Sequence, residues 1–104
     1  MRHSGGMRFS WDPGKERRNI RKHGLDFSFA AAIFADPWAV TVPDRVVEGE
    51  ERWHTIGAVA AGSIFRILLV LHTYPHPDDE SWIRVISLRE ADTRERRHHE
   101  DPDH

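Results

Sequence analysis

Residues 65–73 read Phe-Arg-Ile-Leu-Leu-Val-Leu-His-Thr, the most strand-like stretch of the 104-residue chain. Its Ile, Leu and Val side chains fall on both parities, so a strand here is covered on both faces and lies inside a sheet. Downstream, the polar segment 75–81 reads as a hairpin loop leading into a strand over 82–88. Upstream, alternation with period two predicts strands over 38–42 and 51–59. Turns are expected at Pro43-Asp44 and Glu48-Gly49-Glu50, and the small residues 60–63 join the second of these strands to the central one. Nearer the N-terminus the period becomes helical. Phe27, Ala30, Ala31 and Phe34 lie on one face of a helix that starts at Asp26 and ends at Asp36-Pro37. Before it, Asp12-Pro13 opens a helix and Gly24 closes it, while Met7, Phe9 and Trp11 alternate in a short first strand. Residues 90–100 have helical composition. Elements grouped in this way predict an α+β domain: a mainly antiparallel sheet of four to five strands packed with two N-terminal helices and one C-terminal helix. A single domain over 7–100 is expected, with 1–6 and 101–104 as flexible ends.

Composition narrows the chemistry. The formal charge of −2 argues against a general polycation, and the absence of cysteine excludes disulfides, thiolate metal sites and thiol catalysis. The apolar runs are too short to cross a bilayer, so no membrane role and a cytoplasmic location are expected. The total hides an uneven layout. Residues 1–35 carry seven basic against three acidic groups, whereas 36–51 carry one against five. Thirteen of the fifteen basic residues are arginine, the side chain suited to bidentate phosphate contacts. The helix over 13–23 has a narrow apolar stripe, so Lys15, Arg17, Arg18, Arg21 and Lys22 form an exposed basic face.

A family resemblance is carried by many short motifs in order. These are Phe9-Ser10-Trp11-Asp12-Pro13, Asn19, Lys22-His23-Gly24, then Phe27, Ala30, Phe34 and Asp36-Pro37. Glu51-Arg52, Ile56-Gly57, Val70-Leu71-His72-Thr73, Arg84-Val85-Ile86-Ser87 and Arg89 with Ala91, Glu95 and Arg96 complete it. Over about residues 7–100 the chain resembles the BrnT toxins of bacterial type II toxin–antitoxin modules. The resemblance implies a RelE-like fold and a ribonuclease activity that inhibits translation. It also implies a BrnA-like ribbon-helix-helix antitoxin as partner, with operator DNA contacted only through that antitoxin. Two positions depart from the family pattern. Arg97-His98-His99 stand where an aromatic residue is usual, and Leu88 replaces an alanine.

Metal-independent RNA cleavage needs a base for the 2′-hydroxyl, cations for the phosphoryl oxygens and an acid for the leaving 5′-oxygen. The catalytic candidates are Arg84, Arg89, His54, Arg52, Glu51 and Lys22. The RNA-binding candidates are Lys15, Arg18, Arg21, Lys22, His23 and Arg66, and no metal or cofactor is expected. Each has a plainer reading beside it. His23 suits a helix C-terminus, and His72 suits a packed strand end. Either strand arginine suits a salt bridge to an acid such as Glu51. Strand alternation puts Arg52 and His54 on one face and Glu51 on the other, and places Arg84 and Arg89 on opposite faces. Arg94, Arg96 and Arg97 suit a solvated helix with a Glu90–Arg94 pair. His98, His99 and His104 lack the fixed spacing of a metal site. Trp38, Trp53 and Trp82 are candidate anchors for a protein partner. The alternative to an active enzyme is a catalytically inactive RelE-like module that acts as antitoxin partner and corepressor.

Overall fold

Asp12 and Gly24 bound the first helix as their chemistry requires. The Asp12 carboxylate accepts the Lys15 backbone N–H at 2.9 Å, and Gly24 takes a left-handed φ of 72° while its N–H bonds the Ile20 carbonyl. The computed structural model describes residues 6–100. The expected flexible ends therefore lie outside the described residues, Gly6 apart. Its elements are β1 (Arg8–Trp11), α1 (Pro13–His23), α2 (Phe29–Ala35), β2 (Val40–Val47), β3 (Glu50–Ala61), β4 (Ile64–Thr73), β5 (Trp82–Glu90) and α3 (Thr93–Glu100). The strands form one sheet in the order β1-β5-β4-β3-β2, parallel only between β1 and β5. This is the α+β architecture expected from the sequence.

Strand β4 is central and covered on both faces. Leu68 and Val70 join Leu25, Phe27, Ala30, Ile33, Ile83, Val85 and Leu88 beneath the two N-terminal helices. Leu69 packs with Ile56 and Ala91 on the opposite face. Helix α2 approaches β3 at Gly57, where a Cβ would lie 2.7 Å from the Ile33 carbonyl oxygen. Only a residue without a side chain admits that contact.

Several boundaries differ from expectation. Helix α2 starts at Phe29, because the Asp26 carboxylate binds the Ser28 N–H and hydroxyl and makes a turn there instead of a helix cap. Strand β2 continues through Pro43-Asp44 with a register shift, which an edge strand tolerates. Glu90 ends β5 instead of opening α3. Asp92 caps α3: its carboxylate accepts the Glu95 N–H, and Glu95 reaches back to the Asp92 N–H.

Helix α1 lies along the edge of β5 beyond the point where β1 stops. Its only buried residue, Asn19, donates to the carbonyls of Leu25 and Leu88 at 2.9 and 2.8 Å and accepts the Leu88 N–H at 3.0 Å. Because β1 pairs only with Trp82–Val85, this carboxamide supplies the edge bonding that a strand would otherwise provide.

Candidate active site

One register shift decides the site. Leu71 pairs with Ser87 and His72 with Val85, which leaves Ile86 as an extra residue in β5. Ile83, Val85 and Leu88 then all enter the helix-covered core. The bulge therefore puts Arg84, Ser87 and Arg89 together on the other face, where simple alternation had separated the two arginines. On β3 the same face carries Arg52 and His54, since His54 pairs with Leu71 and Leu71 with Ser87.

Arg84, Arg89 and His54 each face an acid. The Arg84 guanidinium donates through Nη2 to both Glu50 oxygens at 2.7 and 2.6 Å. Arg89 forms a two-pronged bond with Glu95, Nη1 to Oε1 at 2.8 Å and Nη2 to Oε2 at 2.9 Å. That bond raises the Arg89 pKa and lowers that of Glu95. The plainer reading expected a strand arginine to meet Glu51; the acids are Glu50 and Glu95 instead. His54 Nε2 lies 3.6 Å from Asp44 Oδ1, with both side chains largely covered. Asp44 also bears on Arg89, and His54 on Glu95, through their charges. The Arg52 Nε is buried without a hydrogen-bond partner.

Arg89 also belongs to a second cluster. A cavity of about 460 Å³ between α1 and β5 is lined by Lys15, Arg18, Asn19, Lys22, His23, Ile86, Ser87 and Arg89. The basic helix face and the sheet arginines thus meet at one residue.

A family model described as the ribonuclease toxin BrnT of type II toxin–antitoxin systems matches residues 11–95. The chain belongs to the BrnT family. It is thereby a ribonuclease-toxin family member of a type II module, and such a toxin has an antitoxin partner. Among curated proteins, none matches the sequence significantly.

In this BrnT-family chain the candidates divide by position. Arg52, His54, Arg84 and Arg89 share one sheet face, and Lys15, Arg18, Lys22 and His23 border it through the cavity. Arg21 is exposed and does not line that cavity. Glu51 is not brought to this face; it sits beside Trp53 and Tyr74 in a cavity on the other side. Arg66 is also elsewhere, paired with Glu90 at 3.1 Å near Ile64 and Phe65. His72 is fully buried, bonded to the Thr55 hydroxyl at 2.7 Å, and burial foremost, with the nearby His54 charge, pushes its pKa down to about 4. His99 joins Asp36 at 2.7 Å. Although burial opposes its charge, Asp36 is held below the usual carboxylate range by the Ala58 and Trp38 N–H groups and by His99. Of the candidate anchors, Trp38 is 73% exposed, whereas Trp53 and Trp82 are half-buried. No helix among the described residues is long and apolar enough to cross a membrane.

Sequence reasoning passed over Asp44, read as part of a turn, and gave Glu95 no chemical role. The signal for Glu95 was available: Asp92-Thr93-Arg94-Glu95 has capping-box spacing, which starts α3 at Thr93 and fixes Glu95 near the end of β5. Asp44 had no such local signal.

Proposed function

We propose that this chain is a metal-independent endoribonuclease toxin that cleaves RNA, inhibits translation and is neutralised by a BrnA-like ribbon-helix-helix antitoxin. Operator DNA is reached only through that antitoxin. The observation that carries the reading is the gathering of His54, Arg52, Arg84 and Arg89 on one sheet face, joined at Arg89 to the cations of α1. RNA tracks along α1, its phosphates meeting Lys15, Arg18 and Lys22. The scissile phosphate sits over the sheet beside Arg89.

His54 supplies an imidazole for proton transfer, and Asp44, 3.6 Å away, orients its ring. The 2′-hydroxyl oxygen attacks phosphorus as its proton passes to the His54 imidazole, and the bond to the 5′-oxygen breaks as that oxygen takes up a proton from water. The products carry a 2′,3′-cyclic phosphate and a 5′-hydroxyl. Arginine donors stabilise the charge that builds on the phosphoryl oxygens, where pre-placed donors contribute most.

Induced expression is expected to arrest growth, with arrest relieved by the cognate antitoxin. Purified protein is expected to cut RNA in the presence of EDTA. Intact RNA together with tight antitoxin binding would overturn the enzyme reading and leave the corepressor module.

A further inference from the structure

We propose that Glu95 is a positioning residue for Arg89, holding its guanidinium so that one pair of N–H donors stays free for a phosphate of RNA. The proposal rests on the ribonuclease reading above. A guanidinium carries five N–H donors. The two on Nη1 are taken by Glu95 Oε1 at 2.8 Å and the Glu90 carbonyl at 3.2 Å, and one on Nη2 is taken by Glu95 Oε2 at 2.9 Å. What remains is the second Nη2 hydrogen and Nε–H. These two lie parallel along one edge of the plane, the fork that matches two oxygens of a phosphate. Arg89 lines the cavity that holds Lys15, Arg18, Lys22 and His23, so a phosphate on this fork sits among further cations.

Glu95 is itself fixed. Oε1 accepts the Asp92 N–H at 2.9 Å, and the Glu95 N–H donates to Asp92 Oδ1 at 2.8 Å. Helix α3 buries none of its residues, so it adds little to the core. Its ties to the body run through Glu95 at one end and His99 at the other. A polar helix whose first turn grips a sheet arginine acts on the orientation of that arginine. Arg89 stands at a strand end and is only partly covered. Freed from Glu95 it samples several rotamers and loses alignment with the reacting phosphate, a fault that lowers turnover more than binding.

The test compares Glu95→Gln, Arg89→Lys and the double variant in RNA cleavage, with thermal melting of each. Glu95→Gln is expected to lower kcat by about 10- to 100-fold with KM changed less than about 3-fold and a near-native melt. In the Arg89→Lys background the same change is expected to have no further effect, because Glu95 acts through Arg89. Glu95→Gln activity at or above wild type, or a full additional loss in the Arg89→Lys background, overturns the proposal. Failure of the wild-type protein to cleave RNA is a separate result that removes the ribonuclease reading. Positioning is then decided by the Arg89 Nε–H resonance on adding a 2′-O-methyl RNA. Movement in wild type but not in Glu95→Gln supports the role; equal movement in both, or none in wild type, overturns it.

Discussion

Replacing Asn19 by alanine removes the side chain that fastens the basic helix to the sheet. Asn19 makes three buried hydrogen bonds, and the change strands the Leu88 N–H and the carbonyls of Leu88 and Leu25. A net bond contributes about 1 kcal/mol and a stranded buried group costs about 1–3 kcal/mol. Water entering the vacated space recovers part of this, so the expected loss is about 3 kcal/mol. That is a large share of the roughly 5–15 kcal/mol by which a domain of this size is stable. At about 4–8 °C per kcal/mol, the melting temperature falls by roughly 10–20 °C. Urea unfolding followed by circular dichroism gives the free energy directly, with the slope showing whether two-state behaviour holds. Asn19→Asp is the control. It keeps the acceptor for the Leu88 N–H but sets a carboxylate against two carbonyl oxygens, so it is expected to be at least as damaging as alanine. A loss below about 1 kcal/mol for Asn19→Ala would refute the claim that this carboxamide replaces a missing strand partner.

Further outcomes follow from other contacts. Gly57→Ala drives a methyl group into the Ile33 carbonyl, and calorimetry is expected to show destabilisation by about 1–3 kcal/mol. Arg84→Ala and Arg89→Ala are each expected to reduce RNA cleavage by about 100-fold or more. Circular dichroism melts should change little for Arg84→Ala, whose partly exposed ion pair contributes at most about 1 kcal/mol, and somewhat more for Arg89→Ala, whose pair with Glu95 is more covered. Burial lowers the His72 pKa to about 4 in the fold, against about 6.5 in the unfolded chain. Between those values the unfolded chain takes up a proton that the native chain refuses. Stability from this group is therefore full above about pH 6.5 and declines as the pH falls towards 4, by up to about 3 kcal/mol. Denaturation midpoints across that range should flatten in His72→Gln, while cleavage at pH 7 survives.

Local signals made much of the fold legible. Asp12-Pro13 and Gly24 mark α1 because capping and a left-handed residue are determined within a few positions. The mixed parity of residues 65–73 marks a doubly covered strand for the same kind of reason. The candidate site was harder, since its assembly depends on pairing between distant strands. Arg84 and Arg89 share a face only because Ile86 bulges opposite the Leu71–His72 step, and strand alternation alone puts them apart. Asp44 reaches His54 through the shifted register between β2 and β3, which nothing near Asp44 announces. Arg66 has the charge of a groove residue, yet its neighbour across the strand pair is Glu90. Glu51 illustrates the reverse. Its parity separates it from His54, and the acid that serves Arg84 is the adjacent Glu50.

In the proposed function, the shared face of β3 and β5 carries out metal-free attack by the 2′-hydroxyl. Its most direct test is end analysis of a short RNA incubated with the purified protein in EDTA, alongside His54→Ala. One fragment is expected to carry a 2′,3′-cyclic phosphate and the other a 5′-hydroxyl, both lost in His54→Ala while its melt stays native. Fragments carrying a 5′-phosphate, or undiminished cleavage by His54→Ala, would contradict it.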